Sequence, residues 1–575
     1  MSSTFTRSFS NSRSGTNLNE TILSVDGVRR RGIKRLFSLP VPGDARGVEA
    51  QPLIVENVTI KDGTTHTLCI LASMANNMLA YDADTGELLW ATRLGNPIQG
   101  SKSIDVYTVN EKWGILSTPV ISGGVAYAVA WSSPDGTVAN AHFDLVAVNL
   151  GDGSVFKRLG LEGVKYDPGH GLPIQTFASV ARKQRAGLLM TNVNGVKTIF
   201  IGSGSISESA DTNRGWVIAV DVASFTVSAA WSSAARYSGG GIWQGAQGLA
   251  ADKAGYIYAV TGNGSFDGIT DFGECAVKLI YTPPGDHSQA KLQCVDWFSP
   301  FSDAGRIGED PTHTHIYAKG SGEDDATNMN AYDDQDLGSG GPLVIDELEL
   351  MLFAGKDGIA YVCHLANLGK NLPADFADIG KVKAKLARPP VWFTFYPGLL
   401  DPMPQDQTKN NVQWFNRTHH QHSTPVYYNS PQHGPMVFTM GENGNLRAWG
   451  LDGAGLRYLA CSEEYASWQA PVPYGGMPGG MLTLSANGQA NGSAIVWVLM
   501  PALDANKVIS PGRLLAYDAQ NFGTYPDGSR KMLKLWDSAD WGINFTHNKF
   551  NVPVPINGKV YVPTYSGTVD VYGLA

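Results

Sequence analysis

Four side chains able to bind or activate a small molecule stand beside glycines in the middle of the sequence. Trp243 follows a glycine cluster, and Asn263 lies within a Gly-Asn-Gly turn. Asp336 and Lys356 stand close to further glycines. Because glycine lets the backbone approach a ligand closely, such positions favour a pocket. An indole, an amide, a carboxylate and an ammonium group at such places predict a candidate ligand pocket.

Histidines form a second candidate set. His420 and His422 are two positions apart, and a strand would point both side chains to the same side. His313 and His315 repeat this spacing, and His547 leads the last part of the chain, where it could approach His422. The pattern is compatible with a transition-metal site, with an acid/base pair for a non-redox reaction, and with ordinary loop histidines. The sequence leaves these three interpretations open.

A repeated strand pattern organises these residues. The chain has 575 residues, and eight short strand-like segments recur along it. They span residues 51–55, 117–121, 177–180, 246–250, 341–345, 423–427, 480–484 and 551–555. Each unit of roughly 70 residues can form a four-stranded sheet with one long loop. The repeat predicts an all-β fold, an eight-bladed β-propeller whose innermost strands line an axis.

The ends of the chain suggest how such a ring would close. The last unit is one strand short, and segment 33–39 is a spare strand before the first unit. We expect the two to pair, because a closed ring leaves no exposed edge. This divides the chain into an N-terminal arm, residues 1–32, and a single domain, residues 33–575. The strand-poor segments 300–334 and 369–421 are predicted to be insertions over the funnel mouth, with Trp392 and Phe393 in the second of them.

The composition narrows the class of protein. A net charge of −9 argues against a nucleic-acid partner, and no apolar run is long enough for a membrane-spanning helix. The start of the sequence lacks a secretory pattern, and the five cysteines are scattered. We therefore expect a cytoplasmic protein with a small-molecule partner. The oligomeric state is left open.

Several segments resemble the PQQ-repeat β-propellers, a family that includes the PQQ-dependent alcohol dehydrogenases and many proteins of unassigned function. The matching segments are residues 14–21, 36–40, 261–265, 336–342 and 558–562. The resemblance covers nearly the whole chain. It implies that PQQ lies on Trp243 in the axial funnel.

The same resemblance assigns roles to individual residues. It implies that Glu208, Asn263 and Asp336 bind a metal ion beside the quinone. Calcium is favoured, because Gly338 stands where lanthanide-type relatives have a second aspartate. Asp336 would also act as the catalytic base, and Lys356 would contact the quinone oxygens.

Two departures from the family pattern keep other functions open. The sequence has no vicinal cysteine pair and no secretory signal. The first hypothesis is an alcohol-oxidising oxidoreductase that uses PQQ and calcium. The second is a cofactor-free or metal-assisted non-redox enzyme, such as a cyclase, isomerase or lyase, in the same funnel. The third is a propeller that binds a ligand without catalysis.

Overall fold

The computed structural model describes most of the chain, and nearly all of its regular structure is β. The described residues are 2–43, 47–207, 212–285, 288–299, 336–356, 360–371, 391–394, 420–423, 425–452, 455–470 and 475–575. One short α-helix, α1 (Val25–Arg31), begins where the Ser24 side chain accepts a hydrogen bond from the Gly27 amide. Within these ranges no helix is both long enough and apolar enough to cross a membrane.

The strands follow one another in antiparallel groups of four. Before them come β1 (Thr16–Asn17) and β2 (Ile33–Pro40). The first group consists of β3 (Leu53–Thr59), β4 (Thr65–Ala72), β5 (Asn77–Asp82) and β6 (Leu88–Arg93). The short pair β7 (Ile98–Gln99) and β8 (Lys112–Trp113) follows it. The second group consists of β9 (Val120–Ser122), β10 (Val125–Ser132), β11 (His142–Asn149) and β12 (Val155–Gly160). The short strands β13 (Lys165–Tyr166), β14 (Gln175–Thr176) and β15 (Arg182–Lys183) lead to β16 (Leu189–Val193), β17 (Val196–Ser205), β18 (Trp216–Asp221) and β19 (Thr226–Ser232).

The second half of the chain repeats this arrangement. One group consists of β20 (Ala250–Ala251), β21 (Ile257–Val260), β22 (Ala276–Thr282) and β23 (Lys291–Ser299), and β27 (Lys370–Asn371) extends it. The next group consists of β24 (Leu343–Ile345), β25 (Leu350–Ala354), β26 (Ala360–His364) and β28 (Val391–Thr394). They continue with β29 (Val426–Ser430), β30 (Gly434–Thr439), β31 (Asn445–Asp452) and β32 (Gly455–Tyr465), then β33 (Met481–Ser485), β34 (Ile495–Pro501), β35 (Gly512–Thr524) and β36 (Arg530–Asp537), and finally β37 (Val554–Ile556), β38 (Lys559–Pro563) and β39 (Thr568–Leu574). A contact between Cys461 and Lys531 joins two of these groups into one larger sheet with β1.

The last group takes its fourth strand from the start of the chain. β2 pairs antiparallel with β39, from Ile33 opposite Leu574 to Pro40 opposite Thr568. The resulting sheet has the order β2-β39-β38-β37. This is the pairing that the sequence predicted for segment 33–39, and it covers the edge of β39 that would otherwise be exposed.

The first part of the arm, residues 2–20, runs across the first strands of the successive groups. Its backbone and its asparagine side chains hydrogen-bond to them in chain order. The partners are Ile54, Ile121, Met190, Ala251, Val344, Tyr427, Leu484 and Pro555. Two arginines of the arm, Arg7 and Arg13, are fully buried. This part of the arm is therefore in the protein interior rather than a surface extension.

The hydrophobic core lies between neighbouring sheets. Phe200 of β17 meets Tyr281 of β22 edge-on, with ring centroids 5.4 Å apart, and both side chains are buried. The Trp90 indole in β6 donates a hydrogen bond to the Leu150 carbonyl beyond β11, so this tryptophan joins two groups. Buried aromatic rings of this size supply much of the apolar area removed from water.

One predicted strand is wrong. The repeat predicts an innermost strand of the third unit at segment 177–180, but Ser179–Ala181 is a 3-10 turn. Leu189–Val193 takes the strand position and pairs with β17. The Phe177 ring packs edge-on against Trp216 at 5.6 Å, and this packing accounts for the apolar residue that mimicked a strand. Further 3-10 turns span Arg7–Phe9, Val138–Asn140, Leu337–Ser339 and Ser538–Trp541.

The second predicted insertion also needs correction. Within segment 369–421, Val391–Thr394 pairs with β26 and forms the outermost strand of its group. Trp392 and Phe393 therefore belong to a sheet and not to a loop over the funnel. The remainder of that segment up to residue 419, apart from residues 369–371, and the whole of segment 300–334 lie outside the described residues.

Candidate functional site

Asp336, Lys356 and Asn263 form one hydrogen-bonded cluster. Lys356 Nζ lies 2.7 Å from Asp336 Oδ2, and both side chains are largely buried. The Asp336 amide donates to Asn263 Oδ1 at 3.0 Å, and the Asn263 amide lies 3.4 Å from Asp336 Oδ1. Asp336 adopts a left-handed backbone with φ 30° and ψ 66°. Such backbone strain at a non-glycine residue is concentrated at functional sites.

The topology explains why these residues meet. Asn263 follows the second strand of its group, β21, and Lys356 follows the second strand of the next group, β25. Asp336 precedes the first strand of that second group, β24. Loops before first strands and after second strands share one end of an antiparallel group. The shared end accounts for the proximity of Asp336 and Lys356, which stand on either side of one hairpin.

Glycines pack against the Trp243 ring beside this cluster. A Cβ on Gly204 would lie 2.7 Å from the indole ring, and one on Gly262 would lie 2.9 Å from it. A Cβ on Gly262 would also overlap Asp336 Oδ1. Because these glycines carry no side chain, the indole and the carboxylate can lie next to each other. Trp243 itself is only half-buried.

A cavity of about 540 Å³ opens over these side chains. Trp243, Asp336 and Lys356 line it, and Phe550 contributes a second aromatic wall. Its other charged or imidazole-bearing lining residues are Asp105, Lys183, Arg185, His422 and Lys549. Cations thus outnumber the carboxylates in the wall, which favours an anionic ligand.

Two of the lining lysines are buried. Burial, reinforced by Arg185, lowers the pKa of Lys183 to about 7. Its ammonium donates to the Ile104 carbonyl at 3.1 Å and lies 4.6 Å from the centre of the Trp113 ring. Burial also lowers the pKa of Lys549, whose Nζ donates to Asn506 Oδ1 at 2.6 Å. An anion in the cavity would stabilise the charged form of both groups.

His422 brings a second constellation to the same cavity. His422 Nε2 lies 2.8 Å from Glu442 Oε1, and His420 Nδ1 lies 3.8 Å from the same oxygen. His422 and Glu442 are buried, whereas the His420 side chain is 22% exposed. Burial raises the pKa of Glu442 to about 7. The predicted proximity of His420 and His422 is observed, although both lie in the loop before β29 rather than in a strand.

Two solved structures resemble the chain along its full length. A quinohemoprotein alcohol dehydrogenase from Comamonas testosteroni is 13% identical with a TM-score of 0.50, and one from Pseudomonas putida HK5 is 13% identical with a TM-score of 0.52. Each match covers 100% of this chain and 80% of the other. No protein-family model and no curated protein matches the sequence. The chain has a quinoprotein-type β-propeller fold.

Of the remaining predicted residues, only His547 lies in the described part of the chain. Glu208, His313 and His315 lie outside the described residues. His547 is fully buried, and neither ring nitrogen has a hydrogen-bond partner among the described residues. Burial lowers the pKa of His547 to about 3, so its imidazole is neutral at physiological pH. It is not among the residues that line the cavity with His422.

Glu442 was missed at the level of sequence, although a signal for it exists. Glu442 follows β30, the second strand of its group, and stands in Gly-Glu-Asn-Gly. Lys356 occupies the equivalent position of the preceding group in Gly-Lys-Asp-Gly, and Asn263 that of the group before. Lys183 and Arg185 were also missed. They precede β16, and their neighbours in sequence do not reveal that the backbone around them is buried.

Proposed function

We propose that the chain is an eight-bladed β-propeller enzyme that oxidises a small alcohol in its axial cavity with a bound quinone. The groups of four strands, with β2 completing the last, support the blade number and the closure of the ring. One observation carries the function: the Asp336–Lys356 ion pair lies in the same cavity wall as the half-buried Trp243. This arrangement places a proton acceptor beside an aromatic surface.

The residues present fit a planar, anionic quinone such as PQQ. Trp243 offers a flat face whose glycine base leaves no competing side chain. Lys183, Arg185, Lys356 and Lys549 would hold its carboxylates and quinone oxygens. When bound, PQQ supplies the acceptor for the hydride that leaves the alcohol carbon.

The protein's own contribution is to hold the substrate and to take its hydroxyl proton. Asp336 is the proposed base, and a proton would pass to its carboxylate as the substrate is oxidised. Asn263 fixes the backbone of Asp336 through the 3.0 Å hydrogen bond from the Asp336 amide. Lys356 stabilises negative charge on the carboxylate and on an oxygen bound above it. Phe550 and Trp243 would pack against the bound molecules, because both line the cavity.

Calcium fits this site less well than the quinone does. Calcium takes about six to eight oxygen ligands. Asp336 and Asn263 bring side-chain oxygens to one place, but Lys356 Nζ occupies the position beside Asp336 Oδ2 that a cation would take. The proposal for the quinone therefore does not depend on the metal.

The test is to titrate the purified protein with PQQ, with and without calcium, and follow quenching of tryptophan fluorescence. We expect saturable quenching and alcohol-dependent reduction of an artificial electron acceptor. Trp243→Ala should abolish binding. Trp541→Ala is the matched control, because that tryptophan is 48% exposed and is not among the residues that line the cavity. Saturation that is identical in both variants would contradict the proposal.

His422 supports a second candidate, a non-redox enzyme in the same cavity. Its imidazole lines the cavity, and Nε2 lies 2.8 Å from Glu442 Oε1, so a second titratable group stands beside it. Turnover of a substrate without any quinone would favour this function. In that case His422→Ala would be the damaging change, and Asp336→Asn would be tolerated.

A further inference from the structure

Three side chains with metal-binding chemistry converge beside the cavity. The ligand atoms of His420, His422 and Glu442 lie within 4.8 Å of one another. Two imidazoles and one carboxylate are ligands that zinc, cobalt and iron accept. The set shares the cavity wall with Asp336 and Lys356, but its three ligand groups belong to other residues.

The distances are close to those of a filled site. Ligand atoms around tetrahedral zinc lie about 3.3 Å apart, given zinc–ligand bonds of about 2.0–2.1 Å. The two distances to Glu442 Oε1 are 2.8 Å from His422 and 3.8 Å from His420. They bracket the required value, and the ligand atoms of the third pair, His420 and His422, lie within 4.8 Å of each other.

The backbone holds these ligands in place. The Glu442 amide donates to the His420 carbonyl at 2.9 Å, which ties the two ligand-bearing loops together. Between the histidines, the Gln421 amide donates to the Gly355 carbonyl at 2.9 Å, and its carbonyl accepts from Ser339 Oγ at 2.7 Å. Such support from surrounding groups is what keeps metal ligands in a fixed orientation.

We propose that His420, His422 and Glu442 bind one divalent transition-metal ion at the wall of the axial cavity. Because three protein ligands leave coordination positions open, the ion would present them to a ligand that enters past His422. An oxygen-donor ligand, such as a carboxylate or a hydroxyl group, is the class that such a position takes. The inference stands independently of quinone binding.

The test uses the full chain, stripped with a chelator and titrated with Co²⁺ while its visible absorption is recorded. Equilibrium dialysis with Zn²⁺ gives the stoichiometry. We expect one equivalent of metal and a cobalt spectrum that saturates. His420→Ala, His422→Ala and Glu442→Gln should each weaken binding by at least about tenfold. His420 is partly exposed, so its variant keeps the test valid if the Glu442 variant fails to fold.

Two control variants distinguish this site from other places on the protein where the ion could bind. The first control is His66→Ala. The His66 imidazole also lies 2.7 Å from a carboxylate, that of Asp82, but His66 is outside the three-ligand group. This variant should leave metal binding unchanged. Asp336→Asn should leave it unchanged as well. The inference is wrong if the unmodified protein takes up no metal, or if His420→Ala and His422→Ala bind like it. It is also wrong if Asp336→Asn alone abolishes binding, because the ion would then sit at the Asp336 cluster.

Discussion

The Lys356 ammonium lies 2.7 Å from the Asp336 carboxylate across the hairpin of β24 and β25. Both side chains are largely buried, and breaking a buried pair by removing one partner costs about 3–5 kcal/mol. A substitution that preserves the shape and hydrogen bonding of the Asp336 side chain therefore tests its catalytic role with less effect on folding than a truncation.

Asp336→Asn is that change. Asparagine tolerates the left-handed backbone at φ 30°, and its amide oxygen can still accept from Lys356. We expect turnover to fall by about 10²- to 10⁴-fold, because the base is lost. Thermal unfolding should show a smaller penalty than Asp336→Ala. Steady-state kinetics and melting curves of both variants give the comparison, and full activity of the asparagine variant would remove Asp336 from the mechanism.

Gly262→Ala should disrupt the site by steric overlap, without removing a functional group. The added Cβ would overlap Asp336 Oδ1 and press on the Trp243 ring at 2.9 Å. Crowding of this kind costs about 1–3 kcal/mol, and we expect activity to be lost with it. Gly160→Ala is the control, since a Cβ there meets its nearest atom at 3.6 Å. If Gly262→Ala keeps the activity of Gly160→Ala, the close packing of indole and carboxylate is unimportant.

Lys183 should make anion binding depend on pH near neutrality. Its pKa of about 7 means that its charge is present below that pH and is lost above it. Affinity for an anionic ligand in the cavity should therefore fall as the pH rises from 6 to 8. Asp105 and Glu49 oppose the lowering of this pKa, and Lys549 adds to it. Binding titrations across this range, with Lys183→Met and the exposed Lys197→Met, test the assignment; a slope retained in Lys183→Met would contradict it.

Lys183 should also make the free energy of unfolding depend on pH. In the unfolded chain a lysine has a pKa of about 10.4, so between pH 7 and about 10 the unfolded state binds the extra proton. The free energy of unfolding should therefore rise with pH across this window. Lys183→Met should flatten the rise, as measured by chemical denaturation at several pH values. An equally steep rise in the variant would show that other groups cause it.

Arg13 should be among the costliest positions to change. Its guanidinium donates to the carbonyls of Leu249, Leu188 and Arg7, and it is fully buried. Arg13→Met leaves these acceptors unsatisfied and should lower the free energy of unfolding by about 2–4 kcal/mol. Arg30→Met, at an exposed pair with Asp26, should change it by less than about 0.5 kcal/mol. Similar losses in both variants would refute the structural role of the arm.

The sequence predicted most of the fold because alternation and turn residues are local signals. They located β29, β33 and β37 and the spare strand β2. They failed at segment 177–180, where one buried aromatic residue imitated alternation. They also failed at β28, whose neighbours in sequence show little strand pattern. In both places the sheet partner, and not the segment itself, decides the structure.

The candidate site was predictable where a residue stood at a recognisable position in a unit. Trp243, Asn263, Asp336 and Lys356 were selected in this way, and the structure brings them together. Glu442 could have been selected in the same way. Lys183 and Arg185 could not, because their role depends on burial beside residues from distant parts of the chain. The short distance from Glu442 to His422 likewise arises from the packing of two loops rather than from either loop alone.

The route of the arm has a consequence for how the protein is made. Residues 2–20 leave the ribosome before every strand that they contact, and their hydrogen-bond partners extend from Ile54 to Pro555. At about 5–20 residues per second, the last partner emerges on the order of a minute after the arm. Until then the hydrogen bonds from Arg7 to Phe550 and from Asn17 to Pro555 cannot form. A segment made ahead of all its partners thus completes its contacts only after the last of them has been synthesised.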